Sequence, residues 1–306
     1  MISVEEALAQ LFALVRTQPT ELCPIAQAAG RVLAEPIKAK LTQPPFASSS
    51  MDGYALNSVE ADLHAQFVVV GESAAGHGFI GKLGAGQAVR IFTGAPVPEG
   101  ADMVAIQEEV ERRGKLITLL SEHGGKTNIR PAGQDFAKGD QMSAPRRLTP
   151  SDIALAASMN HAELPVFKKP VVALVSTGDE LVQPGEIPAP DQIIASNTYG
   201  LKALLEAHGA EARILPIARD TRSSLETVFA LCEGADLIVT IGGASVGDHD
   251  IVADVAADLG LEQSFYKVAM RPGKPLMAGQ MNDAAMIGLP GNPVSAMVCG
   301  HVFLLP

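Results

Sequence analysis

One short segment of this sequence places two adjacent carboxylates directly after an apolar run. The segment 176–180 (STGDE) begins at the last residue of the run VVALVS, and its Asp179 and Glu180 could hold Mg²⁺ or position a water molecule. The same two acids could instead cap a helix and occupy its first turn. This loop alone leaves both interpretations open.

A glycine-rich turn, residues 242–250 (GGASVGDHD), follows the apolar run DLIVTI. Its exposed amides could cradle a phosphate group. The turn matches neither GxGxxG nor a P-loop, so a generic turn is the alternative. His249 lies between two aspartates, but no second histidine stands at ligand spacing, which favours a polar cluster at a helix N-terminus over a metal site.

Residues 263–282 contain three cations, Lys267, Arg271 and Lys274, and no acid, although the chain has a net charge of −11. A locally basic segment in an acidic chain favours anion binding, and a solvated surface strand is the alternative. Further along, 288–295 (GLPGNPVS) places a stiff turn between a predicted strand and a predicted helix. Its amides could face the same ligand, or could only cap the helix.

The elements around these loops suggest how they are positioned. From Lys169 onward, apolar strands alternate with amphipathic helices, which predicts βαβ units and a parallel sheet covered on both faces. Ligands of such sheets bind beyond the carboxyl ends of the strands. Between residues 41 and 140, 14 of the 29 glycines separate short β-branched runs, which predicts a mostly β domain. Capping signals predict helices over 3–16 and from Thr149 onward.

Composition narrows the class of protein. The 306 residues have room for two or three domains, and 47% hydrophobic with 19% charged residues is typical of a folded globular chain. With 23 basic and 34 acidic residues, the chain has a net negative charge, which repels other polyanions. This argues against nucleic acid or an anionic membrane as the main partner. Three widely spaced cysteines and a start without a signal peptide predict a cytoplasmic location.

Seven motifs together carry a specific resemblance. In chain order they are SSMDGYAL, RIFTGAPVPEGADMVAIQE, NIRPAGQDFAKGD, STGDEL, TIGGASVGDHD, MRPGKP and GLPGNPVSA, spread from 49 to 296. In this order they resemble the molybdopterin molybdenumtransferase family, of the MoeA and gephyrin E-domain type.

The resemblance implies an α/β multidomain fold. It comprises a molybdopterin-binding βαβ domain with a parallel-rich sheet (169–306), an inserted mostly β domain (41–140) and a split elongated linker domain (1–40 and 141–168). The N-terminal helix is expected to pack on the α/β domain. Because the sequence stops at Pro306, the family's C-terminal β domain is expected to be absent.

The resemblance also implies the reaction, which is Mg²⁺-dependent hydrolysis of adenylylated molybdopterin with transfer of molybdate onto the freed dithiolene. The implied catalytic residues are Asp52, Thr93, Glu180, Asp220 and Asp250, of which the last three would hold Mg²⁺. The implied substrate-binding residues are Ser176, Thr177, Gly178, Gly242, Gly243, Ser245, Gly247, Lys267, Arg271, Lys274, Pro290, Gly291, Asn292 and Pro293. Position 271 is often lysine in the family, and arginine keeps the charge with a different geometry.

By the same resemblance the chain is a homodimer whose site is shared between subunits. Its further partners would be the molybdopterin adenylyltransferase and acceptor molybdoenzymes or their chaperones. Two alternatives remain at this point. Residues from 169 onward also resemble the adenylyltransferase of the preceding step, although MDGYA and FTGAPVP argue against it. A gephyrin-like scaffold without activity is disfavoured by the acids Asp52, Glu180, Asp220 and Asp250.

Overall fold

The computed structural model describes residues 1–242 and 251–306. The chain forms two compact units. The first unit comprises Met1–Leu22, Gly30–Ala34 and Pro165–Pro306, and the second comprises Cys23–Ala29 and Glu35–Leu164. The finer division into three domains stays a prediction.

The α-helices are α1 (Val4–Leu14), α2 (Pro150–Ser158), α3 (Asn197–Ala207), α4 (Arg222–Ala230), α5 (Ile251–Asp258) and α6 (Pro293–Cys299). The strands up to residue 147 are β1 (Thr20–Pro24), β2 (Val32–Leu33), β3 (Ile37–Lys38), β4 (Ser48–Ser49), β5 (Gly53–Leu56), β6 (Gln66–Ser73), β7 (Gln87–Ile91), β8 (Met103–Ile106), β9 (Val110–Arg113), β10 (Leu116–Leu119), β11 (Ile129–Arg130), β12 (Gln141–Met142) and β13 (Arg146–Arg147). The later strands are β14 (Glu163–Phe167), β15 (Val171–Ser176), β16 (Leu181–Val182), β17 (Ile193–Ile194), β18 (Glu211–Ile214), β19 (Leu237–Ile241), β20 (Leu261–Tyr266), β21 (Met277–Met281) and β22 (Ala284–Leu289).

The first unit is built on a six-stranded sheet in the order β18-β15-β19-β22-β21-β20. Strands β18, β15, β19 and β22 are parallel, whereas β21 runs antiparallel to both of its neighbours. The predicted α/β fold with a parallel-rich sheet is therefore confirmed.

Two details of this sheet differ from the prediction. The sequence MAGQM of β21 was not predicted as a strand. The apolar run 265–270 (FYKVAM), one of the strands expected in the alternation after Lys169, is a strand only in its first two residues, because β20 spans Leu261–Tyr266. Lys267 has a φ of +72°, in the left-handed region that a β-strand does not enter, and this turns the chain away from the sheet.

Helices cover both faces of the sheet. Successive residues of a strand point to opposite sides, so apolar neighbours in one strand pack against different helices. On one face, Leu174 of β15 belongs to a core cluster with Leu11 of α1 and Leu201 of α3. On the other face, Val175 belongs to a cluster with α4 and α5. Burying a leucine or valine side chain fully stabilises the fold by roughly 1.5–3 kcal/mol. The parallel strands are therefore packed on both faces, and this packing fixes the positions of their carboxyl ends.

Helix α1 begins with the predicted capping box. The Ser3 amide donates to Glu6 Oε2 at 2.8 Å, and the Glu6 amide donates to Ser3 Oγ at 3.1 Å. Ala7 and Leu11 are buried in the first unit's core. The N-terminal helix is thus part of the same unit as the parallel sheet.

The second unit contains a six-stranded sheet in the order β8-β5-β7-β6-β10-β9. It is antiparallel except for the parallel pair β6 and β7. Leu56, Phe67 and Ile117 are almost completely buried in its core. Helix α2 begins at Pro150 with Thr149 as its N-cap, so the mostly β texture and this helix start are both confirmed.

Candidate functional site

The loops that follow the parallel strands of the first unit meet at one edge of the sheet. The Gly178 amide donates to the Ala218 carbonyl at 3.0 Å, which joins the loop after β15 to the loop after β18. The Thr177 amide donates to the Ile241 carbonyl at 3.0 Å, and the Gly242 amide donates to the Leu289 carbonyl at 3.1 Å. The first residues after β15, β18, β19 and β22, as far as Gly242 in the case of β19, therefore lie side by side at the carboxyl edge of the sheet, where open α/β folds bind ligands.

The acidic loop after β15 does not begin a helix. From Ser176 the chain turns into β16, and helix α3 begins only at Asn197. The interpretation of Asp179 and Glu180 as a helix cap and first-turn acid is therefore wrong. The Glu180 carboxylate folds back over Gly178, whose φ is +145°, so a Cβ at this position would collide with the carboxylate. Glycine at 178 allows this close approach.

Asp220 joins the acidic loop from the neighbouring strand's loop. Its amide donates to Asp179 Oδ1 at 3.1 Å. Burial raises the pKa of Asp220 above its ordinary value of 3.8, and the negative charges of Asp179 and Glu180 raise it further. The carboxylates of Asp179 and Glu180 therefore lie close enough to Asp220 to disfavour its ionisation, and a bound cation would offset this repulsion.

Two buried hydroxyls lie beneath this edge without a hydrogen-bond partner among the described residues. They belong to Thr177, which is 3% exposed, and to Thr240, which is fully buried. Buried polar groups are nearly always hydrogen-bonded in native proteins. The Thr177 hydroxyl lies against Gly242, where a Cβ would collide with the Thr177 carbonyl oxygen.

The turn after β22 caps helix α6, as one of the two sequence interpretations predicted. Asn292 is the N-cap, and its Oδ1 accepts the Ser295 amide at 3.1 Å, while Pro293 is the first helical residue. Asn197 Nδ2 donates to the Gly291 carbonyl at 2.8 Å. Sequence reasoning missed Asn197, and its only signal was an amide at the start of a predicted helix. Pro290 is buried beside this turn.

The basic segment also lies at this edge of the sheet. Tyr266 of β20 is paired with Met277 of β21, and Met277 is paired with Gly288 of β22. Gly288 is in turn paired with Thr240 of β19, so β20 ends at the same level as the parallel strands. Lys267 is the next residue, and its ammonium lies 4.9 Å from the ring centre of Tyr266.

The three cations belong to the connection between β20 and β21, and the alternative of a surface strand is wrong for them. The connection is held to the N-terminus, because the Ala269 amide donates to the Ile2 carbonyl at 2.8 Å. Arg271 and Lys274 are exposed, while Lys267 is half-buried. The cations are therefore available at the same edge as the acidic loop.

A second group of candidate residues lies in the second unit. The Thr93 amide and the Thr93 hydroxyl both donate to Asp52 Oδ1, at 2.8 and 2.7 Å. These two bonds, the amide first, hold the pKa of Asp52 below its ordinary value of 3.8, and the positive charge of Arg90 lowers it further. The structure thus brings together two predicted catalytic residues that are 41 positions apart in the sequence.

Arg90 supports this pair and was missed by sequence reasoning. Its guanidinium lies between two rings, 5.1 Å from the centre of Tyr54 and 4.8 Å from the centre of Phe92. It also donates to the Gly53 carbonyl at 3.2 Å and to Gln107 Oε1 at 2.7 Å. The signal was available, since Arg90 opens the motif RIFTGAP.

Part of the predicted site lies outside the described residues, namely Gly243, Ser245, Gly247 and Asp250, together with His249. Within residues 1–242 and 251–306, no three His, Cys, Asp or Glu side chains are grouped closely enough to hold a metal ion. Burial raises the pKa of the Cys232 and Cys299 thiols to about 11, so neither is a nucleophile at neutral pH. No helix of the described chain combines the length and the apolar character needed to cross a membrane.

Comparison with known proteins assigns both parts of the chain. Residues 2–160 match the family described as MoeA N-terminal region (domain I and II), and residues 173–306 match a probable molybdopterin binding domain. A molybdopterin molybdenumtransferase from Haemophilus influenzae is 37% identical over 290 residues, which cover 94% of this chain and 72% of that protein. This chain belongs to the molybdopterin molybdenumtransferase family.

Further comparisons agree with this family. A molybdopterin molybdenumtransferase from Nostoc sp. is 35% identical over 320 residues, covering 100% of this chain and 73% of that protein. The crystal structure of a molybdopterin biosynthesis MoeA protein from Pyrococcus horikoshii superposes with a TM-score of 0.86 at 31% identity, covering 100% of this chain and 78% of that one.

The family settles the two alternatives left open by the sequence. The chain is an enzyme of molybdenum cofactor biosynthesis, a transferase, and molybdopterin is its substrate. The resemblance to the adenylyltransferase of the preceding step covers only residues from 169 onward. Residues 2–160 match the MoeA N-terminal region, which that alternative does not explain. A scaffold without activity is not what the relatives' names describe.

Proposed function

We propose that this member of the molybdopterin molybdenumtransferase family hydrolyses adenylylated molybdopterin with Mg²⁺ and inserts molybdate into the freed dithiolene. The observation that carries the proposal is that Glu180 and Asp220 come from neighbouring loops at the carboxyl edge of the parallel sheet and that the charge of Glu180 acts on Asp220. Hydrolysis of a phosphoanhydride needs a cation near its oxygens and a positioned water molecule. Acids that repel one another at a ligand-binding edge suit the first of these needs.

The donor set at this edge fits Mg²⁺. Carboxylate oxygens are hard ligands, and Mg²⁺ is usually held by one or two carboxylates together with substrate phosphate oxygens and water. Glu180 and Asp220 would therefore suffice without a third acid, and Asp250 lies outside the described residues. When bound, Mg²⁺ would neutralise charge on the phosphoanhydride oxygens.

The other residues of the edge would bind the anionic parts of the substrate. The cations Lys267, Arg271 and Lys274 follow β20 at the same edge of the sheet as the acidic loop, and the segment 263–282 that contains them has no acid of its own. The Thr177 hydroxyl has no partner among the described residues, and a substrate oxygen could provide one. These groups would hold the pterin phosphate or molybdate by charge-assisted hydrogen bonds.

Asp52 and Thr93 would contribute through a carboxylate that stays ionised. The two hydrogen bonds from Thr93 orient Asp52 and keep it deprotonated at neutral pH. A fixed carboxylate can position a water molecule or hold a molybdate-bound proton, and we propose this role for Asp52. We also propose that the enzyme is a cytoplasmic homodimer that receives substrate from the adenylyltransferase and passes product to acceptor enzymes or their chaperones.

The direct test is release of AMP from adenylylated molybdopterin by the purified chain, measured with and without Mg²⁺ and molybdate. Wild-type chain should release AMP only with Mg²⁺. Asp220→Asn should lower the rate by roughly 100-fold or more, the scale for loss of a preorganised charge in an active site. An assay with ATP and molybdopterin, run in parallel, would reveal adenylyl transfer instead.

The matched control is Asp283→Asn. Asp283 is a fully exposed aspartate in the turn between β21 and β22, at the opposite edge of the same sheet. It should leave AMP release unchanged. Equal rates in the two variants, or no AMP release by the wild-type chain, would contradict the proposed function.

A further inference from the structure

The side chain of Arg219 fixes the backbone of the acidic loop. Arg219 lies in the loop after β18, and its Nη1 donates to the carbonyl oxygens of Gly178, Asp179 and Leu181, at 3.3, 2.9 and 3.0 Å. The loop 178–181 is thus wrapped around a single guanidinium nitrogen. Asp179 and Glu180 belong to this loop. The guanidinium therefore fixes the backbone from which their side chains extend.

Backbone bonds hold Arg219 itself in place. The Ala218 amide donates to the Ser176 carbonyl at 2.9 Å, and the Arg219 amide donates to Ser224 Oγ, also at 2.9 Å. The Asp220 amide donates to Asp179 Oδ1 at 3.1 Å. The loops after β15 and β18 are therefore joined on both sides of the Arg219 side chain.

The hydrogen bonds of Arg219 Nη1 are made to the loop backbone. The Nη1 hydrogen bonds go to carbonyl oxygens, so they leave the carboxylate oxygens of Glu180 and Asp220 for another cation. The guanidinium still offsets part of the repulsion, since its positive charge acts on Asp220. A lysine could keep the charge, but its single ammonium lacks the planar fork that meets several acceptors in fixed directions.

We propose that Arg219 is a positioning residue that holds Glu180 and Asp220 in the arrangement that binds the divalent cation. The inference rests on the proposed function, because the cation is the one assigned there. In this role Arg219 acts through the backbone carbonyls of the loop that carries Glu180.

The test measures cation binding directly, with Mn²⁺ as the probe. Free Mn²⁺ is quantified by electron paramagnetic resonance in titrations of the full chain and of Arg219→Gln and Arg219→Lys. Both variants should bind Mn²⁺ more weakly by about ten-fold or more, the scale for removing groups that orient metal ligands. Millimolar guanidinium should restore part of the affinity in Arg219→Gln, and a general loss of structure would not respond in this way.

The matched control is Arg222→Gln, the next arginine along the chain. Arg222 pairs with Asp258 at 2.6 Å, away from the acidic loop, so this change should leave Mn²⁺ affinity at the wild-type value. Thermal unfolding without metal reports the folded fraction of each variant. If Arg219→Gln does not fold, Arg219→Lys serves as the measured variant.

Wild-type Mn²⁺ affinity in a folded Arg219→Gln or Arg219→Lys would overturn the inference, and so would a wild-type chain that binds no Mn²⁺. The AMP assay separates this failure from failure of the proposed function. A chain that releases AMP, with Arg219 variants that bind Mn²⁺ normally, loses only the positioning role. A chain that releases no AMP loses the proposed function.

Discussion

The two candidate sites shift the pKa of an aspartate in opposite directions. Asp220 of the first unit has a raised pKa, because it is partly buried beside Asp179 and Glu180. Asp52 of the second unit has a lowered pKa, because Thr93 donates two hydrogen bonds to one of its oxygens. The first aspartate is held where its charge is unfavourable until a cation arrives, whereas the second is stabilised as an anion by the protein itself.

The difference shows that the two aspartates are suited to different tasks. A carboxylate in a repulsive group gains most from a bound cation, so the acidic edge is suited to metal binding. A carboxylate already satisfied by hydrogen bonds gains less, so the Asp52 and Thr93 pair is suited to orienting a reacting group. Four predictions would break or sharpen this comparison.

The largest effect is expected at Asp52. Asp52→Ala should lower AMP release by roughly 100-fold or more while molybdopterin affinity stays near the wild-type value, because the carboxylate acts on the reaction and not on ground-state binding. Thr93→Val should cost only about ten-fold, because the Thr93 amide still bonds Asp52. Thr93→Ser keeps the hydroxyl and is the control. Weakened molybdopterin binding with normal turnover of the bound substrate would contradict this role.

Mixing two inactive chains tests the shared site predicted from the sequence. Asp52→Ala and Asp220→Ala chains, allowed to exchange subunits, should form heterodimers as about half of all dimers. If each site combines residues of two subunits, one site of each heterodimer is intact, and about a quarter of native activity should return. Native mass spectrometry would verify exchange. Activity no greater than that of either mutant alone would place both aspartates in one chain's site.

A smaller effect is expected for the cations of the acidic edge. Lys267→Ala and Arg271→Ala should each weaken molybdopterin affinity by about 1–3 kcal/mol, the range for losing a charge-assisted hydrogen bond. Lys169→Ala is the control, because this exposed lysine precedes β15 at the opposite edge of the sheet. Affinity would be measured by calorimetry, and circular dichroism would verify the fold. Wild-type affinity in both folded variants would show that these residues are not part of the binding site.

The smallest effect is on stability, and it should have opposite signs at the two sites. Asp220 has a raised pKa in the folded chain, so its ionisation destabilises the fold as pH rises above about 3.8. Asp220→Asn should therefore be more stable than the wild type at pH 7 without metal, by less than about 1 kcal/mol because the group is largely solvated. Saturating Mg²⁺ should stabilise the wild type selectively.

Asp52→Asn should behave in the reverse manner. A lowered pKa contributes stability that is present above the unfolded value of 3.8 and is lost as pH falls through the folded pKa. The variant should be less stable than the wild type at pH 7, and the difference should shrink on acidification. Urea unfolding midpoints measured from about pH 2.5 to 7.5 would cover the pH range below 3.8, where the Asp52 contribution is lost, and the range above it, where the Asp220 effect appears. Stability differences of equal sign in the two variants would contradict the distinction between the two sites.

The sequence by itself determined the fold class, the starts of two helices and the family. Capping patterns at Ser3 and Thr149 are local, because a cap satisfies amides within the same helical turn. The alternation of apolar strands and helices after residue 169 was equally readable, because strand and helix periodicities differ. The seven motifs identified the family, because all of them occur in the family's order between residues 49 and 296.

Only the tertiary structure decided which residues act together and in which electrostatic state. Asp52 and Thr93 are joined across 41 residues, and Arg219 reaches back to Gly178 across 41 residues as well, because neighbouring strands bring their ends together. The acids of the STGDE loop follow an apolar strand and could have begun a helix, but the chain turned into β16 instead. Burial and neighbouring charge, which depend on three-dimensional packing, then moved the pKa values of two aspartates in opposite directions.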